Sequence, residues 1–450
     1  MEFESKEKAK LPVAGLKHSH DVEISADSKS DDASVKSPKQ RISVYGLGYV
    51  GLPVAGVLAS RGFEILGVDV TSEIIDTINS GKVHIVEPDL DMVVQAAVSA
   101  GKLRASLEPE QADVFIIAVP TPFKENKQPD ISYIRAAVKA IAPLLRKGNL
   151  VILESTSPVG TTDQICGWVG ELRPDLVLPQ AENDDADIHI AHCPERVLPG
   201  RVLRELVDND RIIGGISPRC AELAAELYRS FVRAEIHLTN ARTAELAKLV
   251  ENAYRDVNIA FANELSMICD TLDINVWELI SLANRHPRVN ILSPGPGVGG
   301  HCIAVDPWFI VAAAPKQTRV IRAAREVNDS KPDIVFDKVA AAAKRVRDPV
   351  IACLGLSYKA DIDDLRESPA LHVVERLARE NIGKLLVVEP NIRELPPELK
   401  KYPNVALAEM RHAIHAADIL LMLVNHSQFK RIDRELLKPK IVIDTPGVWR

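Results

Sequence analysis

Apolar residues gather in short runs along this chain, at 42–45, 64–68, 114–119, 350–354, 384–389 and 419–424, with longer helical patterns between them. Runs of that length bounded by polar turns read as strands covered on both faces, as in parallel sheets flanked by helices. The pattern also repeats. Residues 112–119 resemble 417–424, and the pair of runs at 42–45 and 64–69 is echoed at 350–354 and 384–389. The predicted fold is therefore α/β, with two doubly wound Rossmann-like domains joined by a long central helix.

Residues 1–39 are rich in Lys, Ser, Asp and Glu and show no sustained apolar period, so they cannot bury enough surface to offset ordering entropy. They are expected to form a disordered tail. The first α/β domain is expected over 40–235, a central helical linker and dimerisation domain over 236–330, and the second α/β domain over 331–450. In the central region a helix is predicted from Asn240, its N-cap, to about Asp270, free of Pro and Gly. A second helix is predicted over 317–330, with Pro332 marking the step into the last domain. A long helix between two lobes must bury more than one apolar face, which predicts a homodimer through it.

The first strand runs into Gly46-Leu47-Gly48-Tyr49-Val50-Gly51 and then a helix, and the second strand ends at Asp69, 18 residues beyond Gly51. Strand, G-x-G-x-x-G, helix and distal acid together are the dinucleotide fingerprint. Gly46 permits the tight turn, Gly48 lets a pyrophosphate reach the helix N-terminus, and Gly51 allows close packing. Asp69 would accept hydrogen bonds from the adenosine ribose and repel a 2′-phosphate, which favours NAD over NADP. Thr121 sits just past the strand at 114–119, on the edge where such sheets bind ligands. The second domain lacks the fingerprint and offers Tyr358, Lys359 and Arg366 in its place, a set suited to a phosphate or a sugar.

Composition narrows the partners. A formal net charge of −7 gives no electrostatic footprint for nucleic acid or an anionic membrane. No apolar run approaches the roughly 18–20 residues of a bilayer span. The N-terminus has no apolar signal region, and the six cysteines lack C-x-x-C spacing, so a reduced cytoplasmic setting is expected.

One of those cysteines stands apart. The run Gly297-Val298-Gly299-Gly300-His301-Cys302 sets a thiol in a glycine-rich turn, four residues before Asp306. Glycines let backbone N–H groups approach a reacting carbonyl, and a nearby carboxylate can handle a proton or a water. On the central helix Lys248, Asn252 and Arg255 fall within roughly 60° of one another. No second His or Cys cluster accompanies Cys302, so no metal site is expected.

These residues resemble the nucleotide-sugar 6-dehydrogenases, the family of UDP-glucose and GDP-mannose dehydrogenases, over residues 41–450. The specific pieces are Cys193-Pro194-Glu195-Arg196-Val197-Leu198-Pro199-Gly200, Asn284-Arg285-His286-Pro287-Arg288-Val289-Asn290 and Gly299-Gly300-His301-Cys302. The first two are similar to the branch acting on UDP-N-acetyl-D-mannosamine. The resemblance implies four-electron oxidation of the sugar C6 alcohol to a carboxylate, two NAD⁺ being consumed, with the intermediate held on Cys302. It implies catalytic roles for Lys248 and Asn252, and for Asp306 or Glu195 as hydrolytic base. Tyr49, Val50, Thr121 and Thr162 match cofactor positions. Arg196, Val197, Lys248, Asn252, Arg255, His286, Arg288, Gly299, Tyr358, Lys359 and Arg366 match positions that bind the UDP-sugar. One departure is Pro446, where relatives carry a basic residue; neither Lys440 nor Arg450 is placed by the sequence to replace it. Two alternatives remain, a UDP-glucose or GDP-mannose enzyme and a non-catalytic nucleotide-binding regulatory protein.

Overall fold

The computed structural model describes residues 40–124, 127–181, 185–198, 200–300 and 302–449. The expected disordered tail lies outside them.

The apolar runs form two sheets. The first contains β1 (Arg41–Tyr45), β2 (Glu64–Val68), β3 (Leu103–Ser106), β4 (Val114–Ile117), β5 (Leu150–Leu153), β6 (His189–His192), β7 (Arg211–Gly215) and β8 (Ile236–Asn240), in the order β3-β2-β1-β4-β5-β6-β7-β8. Every pairing is parallel except β6 with β7. The second contains β9 (Val350–Leu354), β10 (Lys384–Val388), β11 (Val405–Leu407), β12 (Ile419–Met422) and β13 (Ile441–Asp444), all parallel, in the order β11-β10-β9-β12-β13. The first five strand positions of the first sheet follow the same order as the whole second sheet, so the repeat in sequence is a repeat in topology. All residues of β4, β5 and β12 are buried, because helices cover both faces.

The central helix runs Ala241–Leu272, and the Asn240 side chain accepts the Thr243 N–H at 2.9 Å to cap it. The second linking helix departs from expectation. It runs Arg319–Ala343 with Pro332 inside it, so the anticipated step between domains falls within one continuous helix. Proline in a helix interior costs about 3 kcal/mol. Past it, however, Val335, Phe336 and Val339 enter the core of the second lobe, and each such burial stabilises by roughly 1.5–3 kcal/mol. Continuing the helix therefore wins.

The two long helices are bolted together by buried polar contacts. Arg325 pairs with Asp256 at 2.6 Å, both essentially inaccessible, and Asn328 Nδ2 donates to Asp256 Oδ1 at 2.8 Å. Asn263 Nδ2 donates to Asn328 Oδ1 at 2.8 Å, while its Oδ1 accepts the Gly295 N–H at 2.9 Å. This last contact ties the loop leading to Cys302 directly to the central helix.

Candidate active site

A cleft of about 970 Å³ opens at the carboxyl ends of β1, β2, β4 and β5. The glycine turn forms one wall. A Cβ on Gly46 would stand 2.5 Å from the Ala118 carbonyl oxygen, and one on Gly51 would stand 1.9 Å from the Gly46 carbonyl oxygen. At Gly48 a Cβ would meet nothing within 4 Å, so the open face of the turn is the one toward the cleft. Asp69 Oδ2 accepts the Leu47 N–H at 3.0 Å, Oδ1 accepts the Thr71 N–H at 3.1 Å, and the residue lines the cleft. Val70 and Leu107, exposed apolar residues on either side, suit a flat base. Tyr49, Val50 and Thr121 line the same space, the Thr121 hydroxyl donating to the Thr156 carbonyl at 2.5 Å. The cradle thus fits NAD, with steric room at Gly48 and a carboxylate at Asp69.

At the other end the cleft reaches Glu195, Cys302 and Asp306. Asp306 opens the helix Asp306–Ala313, and its N–H donates to the Cys302 carbonyl at 2.9 Å, which closes the turn between them. From the central helix, buried Asn252 donates its Nδ2 to Asp306 Oδ2 at 2.6 Å. Lys248 is buried one turn earlier. Burial pushes the Asp306 carboxyl up to about 6, against the pull of Asn252 and Lys248. Cys302 is exposed at its surface, yet protein crowds the sulfur. That crowding and the Asp306 charge raise its thiol to about 11, while Lys248 and Arg255 oppose the rise. Thiol, carboxylate, amide and ammonium therefore converge where the dinucleotide cleft ends, and the resting thiol holds its proton.

Gly299 and Gly300 are required by packing. A Cβ on Gly299 would stand 2.3 Å from the Glu367 carbonyl oxygen, and one on Gly300 (φ +83°) would stand 2.8 Å from the Tyr358 ring. The turn bearing Cys302 therefore lies flat against the second lobe. Behind it, a second cavity of about 430 Å³ sits at the carboxyl ends of β9, β12 and β13. Tyr358, Lys359 and Lys430 line it with the loop at 293–297, Asn425 and Pro446, and no carboxylate is among its lining residues. With two cations and no acid among its lining residues, it is suited to an anion.

Several expected residues lie elsewhere. Thr162 is fully buried away from the cleft, its N–H and hydroxyl both donating to Glu245 of the central helix, which satisfies a helix start. Arg196 pairs with Glu251 at 2.6 Å and donates to the Asp210 carbonyl, so its guanidinium is engaged away from both cavities. Val197 packs against the first-lobe core. His286 and Arg288 are exposed and line neither cavity. The Asn284 side chain bonds both the N–H and the carbonyl of Ile291, which pinches this segment outward. Arg366 lines the dinucleotide cleft, held bidentately by Asp364, and not the second cavity. Lys430 was not singled out from sequence, although a residue shortly after a strand's carboxyl end was a place to look. It lines the same cavity as Pro446, which brings no cation of its own, whereas Lys440 donates to the His415 and Ala417 carbonyls.

Among the described residues no helix is long and apolar enough to cross a membrane. Three family models match in sequence: the NAD binding domain of the UDP-glucose/GDP-mannose dehydrogenase family at 40–232, its central domain at 242–330 and its UDP binding domain at 352–450. Among curated relatives, an NDP-N-acetyl-D-galactosaminuronic acid dehydrogenase of Ralstonia nicotianae is 61% identical over 93% of this chain and 98% of its own. A UDP-N-acetyl-D-mannosamine dehydrogenase of Escherichia coli is 57% identical over 91% of this chain and 99% of its own. Of solved structures, a UDP-D-ManNAc dehydrogenase from Pyrococcus horikoshii superposes with a TM-score of 0.79 at 39% identity, covering 91% of this chain and 96% of that one. Cleft, thiol and these matches agree: the chain belongs to the UDP-glucose/GDP-mannose dehydrogenase family and is an NAD-dependent nucleotide-sugar dehydrogenase.

Proposed function

We propose that the protein oxidises C6 of UDP-N-acetyl-D-mannosamine to the carboxylate, giving UDP-N-acetyl-D-mannosaminuronate through a sugar held covalently on Cys302. The observation that carries this reading is that Cys302, Asp306 and Glu195 line the end of the dinucleotide cleft, while the anion cavity lies across the Gly299–Gly300 seam. NAD⁺ supplies the hydride acceptor for both oxidations, so one alcohol, two NAD⁺ and one water give one carboxylate, two NADH and three protons. Cys302 gives up its proton and adds to the aldehyde of the first oxidation as a thiohemiacetal; the second oxidation leaves a thioester. Lys248 and Asn252 stabilise the oxyanion of each tetrahedral species. With its carboxyl at about 6, Asp306 is mostly ionised at pH 7 and takes the proton of the hydrolytic water. Glu195, on the same cleft, is the other candidate for that step. Tyr358, Lys359 and Lys430 receive the nucleotide diphosphate.

A second reading, the galacto-configured 2-acetamido sugar as substrate, which differs from the manno sugar at C2 and C4, is favoured by the 61% identity to the Ralstonia relative. Both readings share a 2-acetamido sugar. Self-association through the central helix belongs to the same proposal. Leu246, Val250, Tyr254, Phe261, Ile268 and Leu272 are exposed on it, and at about 100° per residue they fall in one stripe roughly 80° wide. A reduced, cytoplasmic setting belongs to the same proposal, supported by six cysteines spread thinly without C-x-x-C spacing.

The test is NADH yield per sugar over UDP-N-acetylmannosamine, UDP-N-acetylgalactosamine, UDP-glucose and GDP-mannose. Two NADH with the first and no free aldehyde is the expected result. One NADH per sugar would overturn the covalent step, and preference for another sugar would overturn the substrate.

A further inference from the structure

The second lobe repeats the topology of the first, and the carboxylate after its second strand has an unusual fate. In the first lobe Asp69 follows β2, receives the Leu47 N–H and faces the cleft. Glu389 follows β10 and receives the equivalent Leu356 N–H at 2.7 Å. Glu389 is buried, and both its oxygens are occupied. Oε2 also accepts from Ser357 N–H at 3.2 Å and from His426 at 3.0 Å; Oε1 accepts from the Asn391 N–H and Nδ2, each at 3.1 Å. Nothing is left for a ribose, so this lobe cannot hold a dinucleotide in the way the first does.

His426 closes that arrangement. It is wholly inaccessible, packed edge-on to Phe429 with ring centroids 5.3 Å apart. The Asp361 N–H donates to Nδ1 at 2.9 Å, so Nδ1 is bare and Nε2 carries the proton donated to Glu389. One neutral ring thereby joins the end of β10 to the loop after β9. Its neighbour Ser427 grips the same target, the Ser427 N–H and hydroxyl donating to the Asp361 carboxylate at 2.9 and 2.6 Å. Asp361 is held in the left-handed region (φ 61°). Just before it, the Ser357 hydroxyl donates to the Lys359 carbonyl at 2.7 Å. The Ser357 oxygen also lies 3.3 Å from His426 Nε2, so Tyr358 and Lys359, which line the anion cavity, are strung between two anchors that both meet His426.

We infer that His426 is a positioning residue for the nucleotide half of the substrate: its Nδ1 fixes Asp361, and through it aims Tyr358 and Lys359 into the cavity. The inference rests on the reading of that cavity as the nucleotide site. It predicts a change in affinity for the nucleotide without a change on the cofactor side, since His426 and its partners lie outside the dinucleotide cleft.

Calorimetric titration of the full chain with UDP, and separately with NAD⁺, tests it. His426→Leu is expected to weaken UDP binding about tenfold and to raise KM for the nucleotide sugar with kcat and NAD⁺ affinity nearly unchanged. If that variant does not fold, two conservative ones decide. His426→Asn places an acceptor where Nδ1 stood and should bind UDP within about twofold of wild type. His426→Gln places a donor where Nε2 stood, loses the Asp361 contact and should bind about tenfold more weakly. Equal UDP affinity in wild type, Asn and Gln variants overturns the inference while leaving the nucleotide site standing. If wild type itself binds no UDP, the reading of the cavity is wrong and takes this inference with it.

Discussion

Replacing Asn252 with Leu should move the acid limb of the pH–rate profile to higher pH. Asn252 Nδ2 donates to Asp306 Oδ2 at 2.6 Å in a buried setting, and that bond exists in full only with the carboxylate. It therefore favours the charged form and holds the pKa down; removing it must raise the pKa further. A hydrogen bond to a charged group contributes about 1.5–3 kcal/mol, which at 1.36 kcal/mol per pK unit is about 1–2 units. Asp306 starts at about 6, so the limb should move to about 7–8. At pH 7 the ionised fraction would fall from about nine-tenths to between about a half and a tenth, and this part of the defect should vanish near pH 9. Leu is preferred to Ala because it matches Asn in shape and leaves no room for a replacement water. The assay is kcat/KM for the nucleotide sugar at saturating NAD⁺ over pH 5–9, at constant ionic strength. The plateau will also drop, because Asn252 is assigned to the oxyanion, so the position of the limb is diagnostic and its height is not. A limb that stays at the wild-type pH would refute Asp306 as the base whose ionisation limits turnover.

Three further outcomes are expected. Cys302→Ser should accumulate a covalent sugar adduct visible by intact mass, since an ester on Ser leaves less readily than a thioester; wild-type turnover would remove the thiol from the mechanism. Asp69→Ala should raise KM for NAD⁺ and narrow the preference over NADP⁺, measured by initial rates with each cofactor, and unchanged discrimination would take Asp69 away from the ribose. Phe261→Asp, set in the middle of the exposed apolar stripe, should shift sedimentation from dimer to monomer; a wild-type monomer at micromolar concentration would end the proposal of self-association.

Local patterns in the sequence carried much of this. The glycine turn and Asp69 are legible because strand, turn, helix and acid follow one another closely in the chain. Lys248 and Asn252 are legible because helical periodicity alone puts them on one face, and Cys302 with Asp306 because a single turn separates them. Partners distant in sequence were not legible. Glu245 claims Thr162 across 83 residues and Glu251 claims Arg196 across 55. A motif states which side chains are available but not which buried or paired charge will take them. Pro332 misled for a related reason: the local rule ends a helix there, and the core of the second lobe outweighs it. Lys430 was hidden because its relevance depends on the cavity that β9, β12 and β13 enclose together.

If the proposed function holds, the close approach of Tyr358 to Gly300 ties recognition to reactivity. The aromatic ring that borders the second cavity lies so close to Gly300, two residues before Cys302, that no side chain fits between them. On the proposed function, occupancy of the cavity would be felt at the sulfur, whereas a bare sugar or a stray aldehyde reaching Cys302 from the cleft would leave Tyr358 where it was. The nucleotide, which emerges from the proposed reaction chemically unaltered, would then serve as the handle by which the protein tells a substrate from a mere alcohol.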